Sequence, residues 1–103
     1  MQTGRQQPLE IATKVLKPKT MEVVRRSPSF HLQAWKILDR WAYNSPEKLK
    51  ALEAEGQIVL FDRVLTQQAT ENEILTSLPG LEQRRNGLME HEILAMNEIN
   101  TEL

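Results

Sequence analysis

The sequence predicts an all-α protein, a single small bundle of four to five short helices. Three observations carry this. Apolar residues recur at three- and four-residue spacings along most of the chain. Proline and glycine punctuate those runs where helices start and stop. The stretch Met21 to Val24, with β-branched Val23 and Val24, finds no second segment that would pair with it as a strand. A chain of 103 residues with 40% apolar and 26% charged side chains has the composition of an ordinary globular domain and room for one core. Residues 1–8 read as a flexible end, and residues 9–103 as one helical domain whose C-terminal helix is a candidate association surface.

Taken in order, Leu9, Ile11, Ala12, Val15 and Leu16 make two helical turns that Pro18 stops. Met21 to Arg26 stays open between extended chain and a helical turn. The clearest helix begins at Ser27-Pro28-Ser29, where a serine caps and the proline fits the first turn, and continues to about Asn44. On a wheel of about 100° per residue, Phe30, Ala34, Ile37, Leu38, Trp41 and Ala42 share its apolar face. Ser45-Pro46-Glu47 repeats the starting signal, and Gly56 stops a short helix carrying Leu49 and Leu52. From Gln57 to about Ala69, Ile58, Leu60, Phe61, Val64 and Leu65 cover more than half the circumference, as in a helix buried between neighbours, with Val59 fitting least well. Thr70-Glu71-Asn72-Glu73 matches a capping box and opens a further helix through Ile74, Leu75 and Leu78, which Pro79-Gly80 ends. Leu81 to Leu103 forms the last helix, loosened at Asn86-Gly87.

The core expected from these faces is Phe30, Ala34, Ile37, Leu38, Trp41, Leu49, Leu52, Ile58, Phe61, Val64, Leu65, Ile74, Leu75 and Leu78.

Composition and motifs narrow the chemistry. With no cysteine the chain has no disulfide, no thiolate nucleophile and no Cys-containing zinc site, which fits a reducing, cytoplasmic setting. Met1 to Pro8 lacks the apolar core of a signal peptide, and no apolar run is long enough to span a membrane. His31 and His91 belong to no metal-ligand spacing and read as structural or solvated. Ser45 and Lys48 match a Ser-x-x-Lys pattern only by letter, because Pro46 and Gly56 frame a helix there. The glycines are too scattered for a phosphate loop, and Glu71/Glu73 and Glu90/Glu92 stand two apart, on different sides of a helix. No cofactor and no catalytic residue is expected.

Two features stand out instead. Net charge is −1, yet through Arg40 eight basic residues face three acidic ones, and the remainder holds five basic against eleven acidic. Lys14, Lys17, Lys19, Arg25 and Arg26 are positioned to meet phosphates or an acidic protein; the plain alternative is a solvated basic face. A helix-turn-helix over Glu47 to Leu65 fails, because its recognition helix would offer only Asp62 and Arg63 as charges. In the C-terminal helix, Met89, Ile93, Met96, Ile99 and Leu103 form a seam spaced four, three, three and four apart and flanked by glutamates. That seam closes either the monomer's own core or a homodimer built on Leu88 to Leu103. The leading functional reading is a non-enzymatic protein-interaction or regulatory module acting through helical faces. The alternative is a nucleic-acid-associated factor using residues 14–26, with an enzyme of unrecognised polar site placed third.

Overall fold

The computed structural model describes residues 8–103, so of the expected flexible end only Pro8 falls among the described residues. These residues form seven helices and no strand: α1 (Glu10–Val15), α2 (Pro18–Arg26), α3 (Leu32–Asn44), α4 (Pro46–Ala54), α5 (Gln57–Leu75), α6 (Leu78–Arg85) and α7 (Glu90–Met96). The all-α class holds, whereas the count of four to five falls short. No helix among the described residues is long and apolar enough to cross a membrane.

Pro18 does stop the first helix, and it then opens the next one as its first residue. The open stretch Met21 to Arg26 is therefore helical, with Met21 and Val24 turned into the core. Neither N-terminal helix is capped by its own side chains. Asp39 of α3 accepts the backbone N–H groups of Leu9 (2.8 Å) and Ala12 (2.9 Å), and Glu53 of α4 accepts that of Lys17 (2.9 Å). Carboxylates from two other helices thus satisfy the free amides at both helix starts, where negative charge is favoured.

The third helix starts at Leu32 rather than Ser27. Ser27 is spent on ending α2, its N–H bonding to the Val23 carbonyl, and its Oγ accepts from the Ser29 N–H. The turn that follows drives Phe30 into an edge-on contact with Phe61, 5.3 Å between ring centres. Gln68 of α5 holds the turn, donating to the Ser29 carbonyl and accepting from the His31 N–H at 2.9 Å each.

The expected break at Thr70 does not occur. Thr70 sits inside α5, where its hydroxyl donates back to the Thr66 carbonyl, and the buried face runs on through Leu60, Val64, Gln67, Gln68, Glu71 and Leu75. Pro79-Gly80 likewise opens α6 instead of ending a helix. Ser77 caps it by accepting the Gly80 N–H at 3.1 Å, and Pro79 occupies the first turn, where a missing N–H costs nothing. Gly80 is buried so tightly against the end of α5 that an added Cβ would overlap the Ile74 carbonyl oxygen.

Residues 81–103 are not one helix. Both α6 and α7 end in the same hydrogen-bond pattern, a Schellman motif: Leu88 N–H to Gln83 O with Gly87 N–H to Arg84 O, and Ile99 N–H to Leu94 O with Glu98 N–H to Ala95 O. Gly87 takes the left-handed residue in the first, and Glu98, at φ 59°, takes it in the second. Beyond Glu98 the chain runs back without regular structure as a strap over α3 and α5.

Two apolar clusters result. The larger, centred on fully buried Trp41, draws on α1 to α5. The smaller consists of Leu75, Ile93 and Leu94. Of the expected core, Ile58 and Leu78 are corrected to the surface, 82% and 83% exposed. Ile58 lies opposite Leu60 on α5, and Leu78 is the first residue of α6.

Candidate interaction surfaces

A polar layer separates the two apolar clusters. Its centre is Glu71, with no solvent exposure. Oε1 accepts from Gln33 Nε2 (2.8 Å) and one Arg40 nitrogen (3.0 Å); Oε2 accepts from the other Arg40 nitrogen (2.8 Å) and Gln67 Nε2 (2.8 Å). Burial by itself would raise the Glu71 pKa. The Arg40 and Gln67 hydrogen bonds, the Arg40 charge and the Gln33 hydrogen bond outweigh burial and hold it below its ordinary 4.5. Four donors fill the lone-pair positions of this carboxylate, so Glu71 is ionised, saturated and without capacity to take a further proton donor. It is a structural group.

The layer also fastens the strap. Arg40 (3.0 Å) and Trp41 Nε1 (2.8 Å) both donate to the Thr101 carbonyl, and Gln67 donates to that of Asn100 (2.8 Å). Arg63 reaches Gln67 Oε1 at 2.8 Å while its guanidinium lies 4.9 Å from the Trp41 ring centre. Apart from Trp41, none of these partners belongs to a hydrophobic period, and the residue type alone would place Gln67, Gln68 and Glu71 in solvent.

The C-terminal seam is divided by this arrangement. Ile93 is fully buried and Ile99 packs against the same small cluster, whereas Leu103 lies against the large one. Only Met89 and Met96 of the five remain open, 64% and 61% exposed. The expected continuous stripe is therefore absent, because the turn at Glu98 takes Ile99 and Leu103 off the helix.

Of the basic residues, Lys14 lies on α1, Lys17 in the connection, and Lys19, Arg25 and Arg26 on α2. Lys14, Lys17, Lys19, Arg25 and Arg26 are all exposed. Arg26 forms an ion pair with Glu22 (3.2 Å), and Arg25 reaches the Thr13 hydroxyl (3.0 Å). Between the two helices lies a cleft of about 300 Å³ lined by Thr13, Pro18, Met21, Glu22, Arg25 and Arg26.

A further surface was not legible in advance. Leu52 of α4 with Ile58, Val59, Asp62, Arg63 and Thr66 of α5 lines a groove of about 530 Å³. The poor fit of Val59 to the α5 wheel was its one trace in the sequence: Val59, 40% exposed, and Ile58 face outward together. His31 is exposed at the start of α3, and exposed His91 lines a separate cleft of about 470 Å³ with Arg40, Met89 and Glu102.

Comparison of the chain with protein-family models, curated proteins and solved structures finds no match.

Proposed function

We propose that the chain is a non-enzymatic protein-interaction module that binds its partner through helical faces, with the groove at the start of α5 as the principal contact. One observation carries this reading: Ile58 stands 82% exposed at an apolar groove. A large side chain left in water beside half-buried Leu52 and exposed Val59 is the kind of patch that association covers, and Asp62, Arg63 and Thr66 supply a polar rim. A cytoplasmic setting belongs to the proposal and rests on a sequence without cysteine.

A photo-crosslinking residue placed at position 58 in the source cell tests it. The expected result is a defined protein adduct that disappears when Val59→Asp is added. No adduct, or one indifferent to Val59→Asp, would remove the groove as the contact.

Nucleic-acid binding through α1 and α2 is the second reading, supported by the exposure of all five cations there. It requires binding that weakens steeply with salt and vanishes when Lys14, Lys17, Lys19, Arg25 and Arg26 are neutralised together. A chain that binds neither DNA nor RNA at low ionic strength contradicts it.

A further inference from the structure

The basic and acidic ends of the chain do not neutralise each other within one molecule. Residues 14–26 carry five cations and Glu22, while residues 86–103 carry four glutamates and neither lysine nor arginine. Among the described residues the ion pairs are Arg26 with Glu22, Lys36 and Arg84 with Glu90, and Arg40 with Glu71, none of which joins the two ends. Helix α7 packs on α5 and α6, and α1 and α2 pack elsewhere. Outside these pairs stand exposed Lys14, Lys17, Lys19 and Arg25 at one end and exposed Glu92 and Glu98 at the other, so each end keeps charge of one sign toward solvent.

Shape accompanies charge. Met89, Glu92 and Met96 follow one another at three- and four-residue spacing, on one side of α7, and all three are exposed, as is Glu98 beyond the helix end. The cleft between α1 and α2, of about 300 Å³, is lined by buried Met21, by exposed Pro18 and Thr13, and by Arg25 and Arg26 with Glu22, the ion-pair partner of Arg26. Methionine is the side chain that adapts best to such an irregular opening.

We infer that the α7 face of one molecule docks on the α1–α2 face of a second copy, Met89 and Met96 meeting the cleft while Glu92 and Glu98 face Lys14, Lys17, Lys19, Arg25 and Arg26. This rests on the reading of the chain as an interaction module and adds a partner, the chain itself, at a surface distinct from the α5 groove. Opposite charges at the rim set orientation and association rate and make the contact salt-sensitive. A reciprocal two-fold pairing stops at a dimer, whereas a one-way pairing grows with concentration.

Sedimentation of the full chain and of two charge variants tests it. Lys14→Glu/Lys19→Glu alters the basic face at two exposed positions. Glu92→Gln/Glu98→Lys alters the acidic face, and glutamine at 92 retains an acceptor for the Met89 N–H that Glu92 binds at 2.8 Å. The unmodified chain should associate at hundreds of micromolar in low salt and weaken at least about tenfold at about 0.5 M salt. Each variant alone should sediment as a folded monomer by circular dichroism, and an equimolar mixture of the two should associate again, because each retains one native face. An unmodified chain that stays monomeric in low salt overturns the proposal. So does a Glu92→Gln/Glu98→Lys chain that associates more strongly on its own, which would indicate α7 pairing with α7. A monomeric chain that still gives the position-58 adduct would remove self-association and leave the module reading intact.

Discussion

Among the described residues, an apolar cluster of fourteen buried residues drawn from five helices and their connections closes around Trp41, whereas around Ile93 three are buried together. The two regions are held by different physics. The large cluster removes enough apolar surface from water to dominate the energetics of the fold. The small one cannot, and α6 and α7 are joined to their surroundings by directional contacts as well: the Ser77 cap, Asn97 donating to Gln83 Oε1 (3.2 Å), and Glu90 shared between Lys36 (3.2 Å) and Arg84 (3.5 Å). Surface ion pairs of this kind contribute little, so the polar layer around Glu71 and the strap it binds are the main coupling between the regions. The difference teaches that one long helix, α5, can serve a dry core at one end and a polar joint at the other.

Substitutions in the two regions should separate them. Trp41→Ala carries the largest expected effect, a loss of roughly 3 to 5 kcal/mol in denaturant unfolding, because the fully buried ring also leaves the Thr101 carbonyl short of a donor. A loss below about 1 kcal/mol would contradict its central place.

Glu71→Gln comes next, at about 3 kcal/mol near neutral pH, because it leaves the Arg40 charge without its carboxylate. Its pH dependence has a definite sign. The folded pKa of Glu71 lies below the ordinary 4.5, so the ionised group adds stability above that value and loses it as pH falls through the folded value. Acid unfolding of the unmodified chain should therefore be steeper than that of Glu71→Gln, as followed by helical dichroism. Equal slopes would mean that the layer contributes nothing.

Ile93→Ala should cost less, about 2 kcal/mol, and chiefly loosen α7 while α1 to α5 keep their dichroism and tryptophan emission. The exposed neighbour Met96, by contrast, should accept Glu with a change within about 0.5 kcal/mol. One further change has the opposite sign. Glu98→Gly relieves a left-handed residue at φ 59° and should raise stability by about 0.5 to 1 kcal/mol, read as a higher denaturant midpoint.

How far the sequence was legible follows the same division. The apolar face of α3 and the proline and glycine signals around α4 are local; α4 stands close to where they put it, and α3 does so from Leu32 onward, its expected start at Ser27 excepted. What was hidden is nonlocal. Asp39 and Glu53 cap helices from afar, a relation that no window of neighbouring residues contains. Gln67, Gln68 and Glu71 continue a buried face with polar atoms, so the apolar period faded at Ala69 and the chemistry of Thr70 to Glu73 resembled a new start. In the C-terminal region the seam from Met89 to Leu103 has helical spacing, but the strap's carbonyls bond to Arg40, Trp41 and Gln67, and Glu98 turns the chain without a glycine to announce it. Of the two candidate surfaces the basic one was readable as a charge run. The α5 groove was not, because Ile58 and Leu60 are equally apolar and only packing decides which of them faces water.

Native-state amide hydrogen exchange tests the division between the two regions most directly. Amides of α7, from Ile93 to Met96, should exchange through a local opening that costs clearly less than global unfolding, while those of α5 from Leu60 to Val64 should exchange only when the whole molecule unfolds. Glu71→Gln should widen that gap. Equal protection of α7 and α5, unchanged by Glu71→Gln, would show one undivided core and contradict the polar joint.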